Sequence, residues 1–189
     1  MRLPLLILGL AAATVGSGGA AAAQSTDGSA QVQATFRGLA APGCRLSTPI
    51  ASTAQNVDVG ALAPGSADIA ISQLVGDDGS SLGATVVLVL PAICNQAHTL
   101  TLASLNGGLL GDGPALTSGP FRSNLPYSVS VNWAGDVRSF VTDSESLAMP
   151  VGDAATGSVT VTIQIPPGGA PLAAGVYSDE LVLELGAAG

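Results

Sequence analysis

One histidine, two cysteines and a few carboxylates are the side chains through which this 189-residue chain could do chemistry. A Ser-His-Asp hydrolase needs a histidine held as base beside an activated serine. His98 is the only candidate; it opens an alternating segment, no Gly-x-Ser-x-Gly elbow is present, and it reads as a surface or strand-end residue. Asp77-Asp78-Gly79 has the composition of a turn and lacks the spaced oxygen ligands of a calcium loop. Glu180 and Glu184 share one face of a strand pattern, but a glycosidase pair needs a cleft with stacking aromatics, and the chain has 1 Trp, 2 Tyr and 3 Phe. No catalytic residue, metal site or cofactor is assigned, and a hydrolase on a β scaffold ranks behind two non-enzymatic readings.

Cys44 and Cys94 remain. In an oxidising compartment an even pair is read first as one disulfide. Closing so long a loop contributes ~4 kcal/mol in the chain-entropy model. Metal binding is the alternative, and two thiols with one distant histidine have no zinc spacing.

The compartment follows from the start of the chain. Met1-Arg2-Leu3-Pro4 is a short positive beginning, Leu5 to Val15 is apolar, and Ala20–Ala23 before Gln24 offers small-residue cleavage sites. Residues 1–23 are expected to be a secretory signal peptide. No later segment approaches the roughly 20 apolar residues of a membrane span, so no membrane insertion is expected. The chain carries no lysine, and removing Arg2 with the leader takes the formal net charge from −8 to −9. Nucleic acid is a poor partner for such a surface. The expected course is export to the periplasm, then the cell surface or secretion.

The elements that must position these residues are strands. Alternating or β-rich runs occur at Ala30–Arg37, Asn56–Val59, Ala67–Leu74, Ala84–Ile93, Thr99–Leu105, Tyr127–Trp133, Arg138–Val141, Gly157–Ile165 and Tyr177–Leu185, with Gly, Pro, Asp and Asn clusters between them. Eight or nine short strands in one domain length imply an all-β antiparallel sandwich. Val159, Val161 and Ile163 oppose Thr160 and Thr162, while Tyr127, Val129, Val131 and Trp133 oppose Ser128, Ser130 and Asn132, so one face of each is core. Ala84–Ile93 is apolar on both faces and belongs mid-sandwich. Asn106–Pro126 is expected to be a surface loop.

Two segments suggest an exchange between molecules. In Tyr177–Leu185 the residues Tyr177, Leu181, Leu183 and Leu185 point one way, and only Gly186–Gly189 follows. A sheet edge with such a row and no next strand invites aggregation, unless the partner strand comes from another molecule. Ahead of Cys44, Ala30, Val32, Ala34 and Phe36 alternate with Gln31, Gln33, Thr35 and Arg37. That segment is either the first strand of its own sandwich or a strand that fills a neighbour's groove.

Several blocks together resemble the spore coat protein U domain family and the subunits of archaic chaperone–usher pili: Cys44, Val57-Asp-Val-Gly60, Cys94-Asn-Gln-Ala-His-Thr-Leu-Thr-Leu102, Asn106-Gly-Gly-Leu109, Leu125-Pro-Tyr-Ser-Val129 and Ala174-Gly-Val-Tyr-Ser-Asp179. The resemblance implies an immunoglobulin-like sandwich lacking its last strand, with 24–38 as a donor extension and 39–189 as the pilin domain. It further implies a periplasmic chaperone, an outer-membrane usher and neighbouring subunits as partners, and a role in adhesion and biofilm formation. Ala30, Val32, Ala34 and Phe36 would be the donor side chains; Tyr177, Leu181, Leu183 and Leu185 would border the receiving groove. The runner-up is a monomeric secreted coat or binding protein that folds its own N-terminal strand into that groove.

Overall fold

A computed structural model describes residues 35, 37–114, 116, 119–144 and 146–187. The expected leader and the donor positions Ala30, Val32, Ala34 and Phe36 lie outside the described residues. Ala40–Gly189 forms one compact unit. Its regular elements are all strands, with no helix among the described residues, and every paired strand is antiparallel.

The larger sheet is built on two long strands, β5 (Ser81–Cys94) and β12 (Ala155–Gly168), whose register runs from Ala155 opposite Cys94 to Gly168 opposite Ser81. β9 (Ser128–Trp133) pairs with β12, and β10 (Asp136–Val141) pairs with β9 and forms one edge. Ala134 and Gly135 join these two strands with φ of 53° and 85°, the two positive values that a tight two-residue hairpin needs. β1 (Cys44–Leu46) and β2 (Ile50–Gln55) divide the other edge, pairing with the end and the middle of β5. Their interruption at Ser47–Pro49 lies beside Pro91. Neither proline has an N–H for the ladder, and only Ser47 N–H to Pro91 O, 2.8 Å, bridges the gap.

The second sheet places β6 (His98–Ser104) between β11 (Leu147–Val151) and β14 (Leu181–Ala187). Pro150 hides β11 from a strand pattern, yet proline is tolerated there because β11 is an edge. The inner faces of the two sheets share one apolar core: Val86, Leu88, Val129, Val131, Trp133, Val159 and Val161 meet Leu100, Leu102, Leu147 and Met149. Trp133 and Tyr127 are core aromatics at 1% and 5% exposure, as their alternation with serines indicates.

Two smaller units complete the fold. β3 (Val57–Ala63) and β4 (Ser66–Ile71) form a hairpin whose base is knitted to the larger sheet by Asn56; its Nδ2 donates to Gln73 O at 2.7 Å and Gly83 O at 2.6 Å. The region expected to be one surface loop, 106–126, instead contributes β7 (Leu109–Gly111) and β8 (Asn124–Leu125), which pair together with β13 (Tyr177–Ser178). The runs are too short to carry a periodic pattern, and partners far along the chain make them strands.

Candidate functional site

Cys44 and Cys94 are directly opposed in the register of β1 and β5 and joined by a disulfide, with Cα atoms 4.1 Å apart. The bond ties the incoming chain to the end of β5, one of the two long strands. Asn95, one residue on, holds the same chain: its Oδ1 accepts from Gly43 N–H at 2.8 Å and its Nδ2 donates to Ala41 O at 2.7 Å. His98 lies beside the bridge, with one ring nitrogen and both sulfurs within 4.8 Å of one another. Of the two positions expected for it, the strand end holds, since it opens β6, and the surface is corrected, since it is 1% exposed. Trp133 Nε1–H donates to His98 Nε2 at 2.8 Å. Indole nitrogen is only a donor, so the imidazole proton is on Nδ1 and is donated to Gln96 O, 2.9 Å away. Both ring nitrogens are thus engaged, and the sulfurs are spent on each other. The cluster pins one corner of the core; what hid this from sequence is the 35-residue separation of His98 and Trp133.

A groove of about 510 Å³ lies between residues of the two sheets and of the β3–β4 hairpin. Its floor is the inner face of β5 (Ala84, Val86, Leu88, Leu90) and β12 (Val161, Ile163, Ile165). One wall is Leu46 with the β3–β4 hairpin residues Val57, Ala67, Ile69 and Ile71; the other is Leu181 and Leu183. Leu90, Ile163, Ile165, Leu181 and Leu183 are only half-buried although they pack on the core cluster. The groove is therefore a half-covered extension of the core, the kind of apolar surface from which interaction sites are drawn.

β14 supplies the main-chain side of that site. It pairs with β6 through Leu181 opposite Ser104 to Ala187 opposite His98, and it is the edge of its sheet, so its other row of N–H and C=O groups is unpaired among the described residues. An extended peptide laid there would gain ladder hydrogen bonds while its alternate side chains reached the apolar floor. Leu181, Leu183 and Leu185 all pack against the core.

Tyr177 departs from the expected row. The chain breaks at Asp179–Glu180, so Tyr177 is in β13, opposite Gly111, and is not among the groove's lining residues. Its hydroxyl is 3.1 Å from Arg122 O and 2.9 Å from Ala173 O, which closes the preceding turn. Burial raises its pKa. Gly175 belongs to the same turn because a Cβ there would sit 2.7 Å from Asp112 Oδ1, the atom that accepts from Val176 N–H at 2.9 Å.

Asp179 is the residue that sequence reasoning undervalued. Its Oδ2 accepts from Ser104 Oγ at 2.6 Å and Tyr127 Oη at 2.7 Å; its Oδ1 accepts from Asn106 N–H at 3.0 Å and Glu180 N–H at 2.8 Å. One carboxylate thus anchors the start of β14 to β6, to the following turn and to the core tyrosine at one end of the groove. Burial, then the hydrogen bond and negative charge of Asp179, drives the Tyr127 pKa far above the ordinary phenol value. The only sequence signal was the motif Ala174-Gly-Val-Tyr-Ser-Asp179 itself.

Among the remaining sites considered from sequence, Asp78 closes a turn, with Oδ1 accepting from Ser80 N–H at 2.9 Å and Ser80 Oγ at 2.8 Å. These bonds, the hydroxyl first, lower its pKa. Glu180 precedes β14 and Glu184 lies within it on an exposed position. No protein-family model and no curated protein matches this sequence.

Proposed function

We propose that this chain is a structural subunit of a chaperone–usher surface pilus, polymerising by donor-strand complementation, with an immunoglobulin-like fold completed by a strand from the neighbouring subunit. The observation that carries the reading is the open apolar groove along the edge of β14 that is unpaired among the described residues. In this reading residues Ala30, Val32, Ala34 and Phe36 of one subunit lie in the groove of the next, and Leu181, Leu183 and Leu185 form the receiving edge. A periplasmic chaperone covers the groove until the usher mediates exchange. Head-to-tail exchange does not close on itself, so it yields a filament, which supports adhesion and biofilm formation.

A second reading has an observation of its own. Asn95 holds Ala41 and Gly43 so that the chain enters β1 at the disulfide end. A reversal within residues 38–40 would return the preceding segment antiparallel to β1, giving a self-complemented secreted monomer. Phe36→Asp separates the two. A donor acting in trans leaves the variant folded with its chaperone but removes polymer ladders from non-boiled gels. Intact ladders would sink the assignment, and a variant that is folded only when Phe36 is restored would favour the monomer.

A further inference from the structure

The larger sheet has a second face, turned away from the core, and its register can be followed row by row. Ile50 is opposite Val89, Val89 opposite Thr160, Thr160 opposite Asn132, and Asn132 opposite Val137. Thr162 lies in the next row between Val87 and Ser130, and Ser139 extends that row beyond Ser130. Since Val161, Val131 and Leu88 are buried, these rows point outward.

Two properties distinguish the face. The chain has 13 acidic residues, yet no described Asp or Glu occupies an outward position on these strands. The only charge there is Arg45, opposite Ile93 at a corner. The face is also laid out symmetrically. β12, with Thr160 and Thr162, is the middle of five strand positions; the flanks carry Ile50 at 58% exposure and Val137 at 60%.

We infer that this face pairs with the same face of a second copy, about a twofold axis running along β12. That operation exchanges the flanks, so Ile50 of each copy meets Val137 of the other while Thr160 meets Thr160 across the axis. A symmetric pair requires such a self-complementary patch. It is also a face on which two acidic molecules meet without opposing carboxylates. A third row runs from Gln55 through Thr85, Gln164 and Ser128 to Val141, and five strands about 4.8 Å apart with three rows about 6.7 Å apart span roughly 24 by 20 Å. Two such faces bury on the order of 1,000 Å², at the low end for a specific interface. The contact is weak between single subunits and is strengthened by repetition when subunits are strung in a filament. In that filament form it joins fibres side by side and rests on the polymer reading above.

Substituting the residue on the axis tests the pairing. Thr160→Glu and Thr160→Lys each place like charges opposite one another, whereas a mixture places opposite charges there. Sedimentation velocity on the folded protein, at whatever assembly length it is obtained, should show concentration-dependent lateral association. Each variant should weaken it by about tenfold or more, and an equimolar mixture should recover it. Ladders on non-boiled gels report donor exchange separately, so their loss leaves the sedimentation result standing. Variants that associate like wild type, or a mixture that fails to recover, would overturn the inference. So would a wild type that never associates and whose Thr160 variants instead lose retention on a neutral polysaccharide matrix, which would assign the face to a glycan.

Discussion

Asp179 and Tyr127 show how a few polar atoms hold an otherwise apolar fold. A hydrogen bond to a charged acceptor contributes about 1.5–3 kcal/mol, and more is at stake when the acceptor is left short of donors. Tyr127→Phe removes the 2.7 Å bond to Asp179 and is expected to lower the unfolding free energy by an amount in that range, read as a fall in the urea midpoint with the m-value unchanged. The tyrosine also links stability to pH. Its folded pKa is raised, so the native state holds the phenolic proton more tightly than the unfolded chain. That stabilisation is whole below the unfolded value near 10 and is lost progressively as pH rises above it. Urea curves between pH 8 and 11 should steepen in their loss of stability above pH 10 for wild type and flatten for Tyr127→Phe. An identical alkaline loss in both would assign it to other groups.

At the scale of elements, the disulfide and β14 have opposite tasks. The Cys44–Cys94 bond closes the end of the molecule where β1 meets β5. Thiol titration of the denatured, unreduced protein should find no free thiol. Replacing both cysteines by alanine should cost ~4 kcal/mol by loop entropy, read as a fall in chemical stability with the described sheets retained. In the donor-strand reading β14 instead stays available on one side. Leu183→Asp would set a carboxylate on the apolar wall of the groove, where an unpaired charge is costly once a strand covers it. The variant should lose affinity for a peptide of residues 29–37 by a larger factor than it loses stability; equal losses, measured by fluorescence anisotropy and urea unfolding, would remove the groove assignment.

For the whole molecule, the donor-strand reading predicts stability borrowed from a partner. A strand that binds the folded but not the unfolded state stabilises by RT ln(1 + [L]/Kd). Protein lacking residues 24–37 should therefore melt at a temperature that rises with added 29–37 peptide, and the Phe36→Asp peptide should leave it unmoved. Without peptide or chaperone the same protein should aggregate or be degraded, because its groove exposes Leu181 and Leu183 beside an edge that is unpaired among the described residues. A stable, abundant monomer would contradict this.

What the chain's own pattern determined is whatever depends on neighbours in sequence. Alternation in Val159–Ile163 and Tyr127–Trp133 announces strands and their buried faces, because side chains on a strand repeat every two residues. Two cysteines alone leave one possible intrachain pairing. The reading stops where partners are distant. β11 hides behind Pro150 until it is seen to be an edge, and β7, β8 and β13 are too short to have a period. His98 looked peripheral until Trp133 closed over its Nε2. Tyr177 seemed one with the leucines after it, but Asp179 breaks the strand there by drawing Ser104, Asn106 and Tyr127 to itself. Whether an apolar strip is core or groove depends on what covers it, and that is decided by which strands, interleaved along the chain between the two sheets, come to face one another across it.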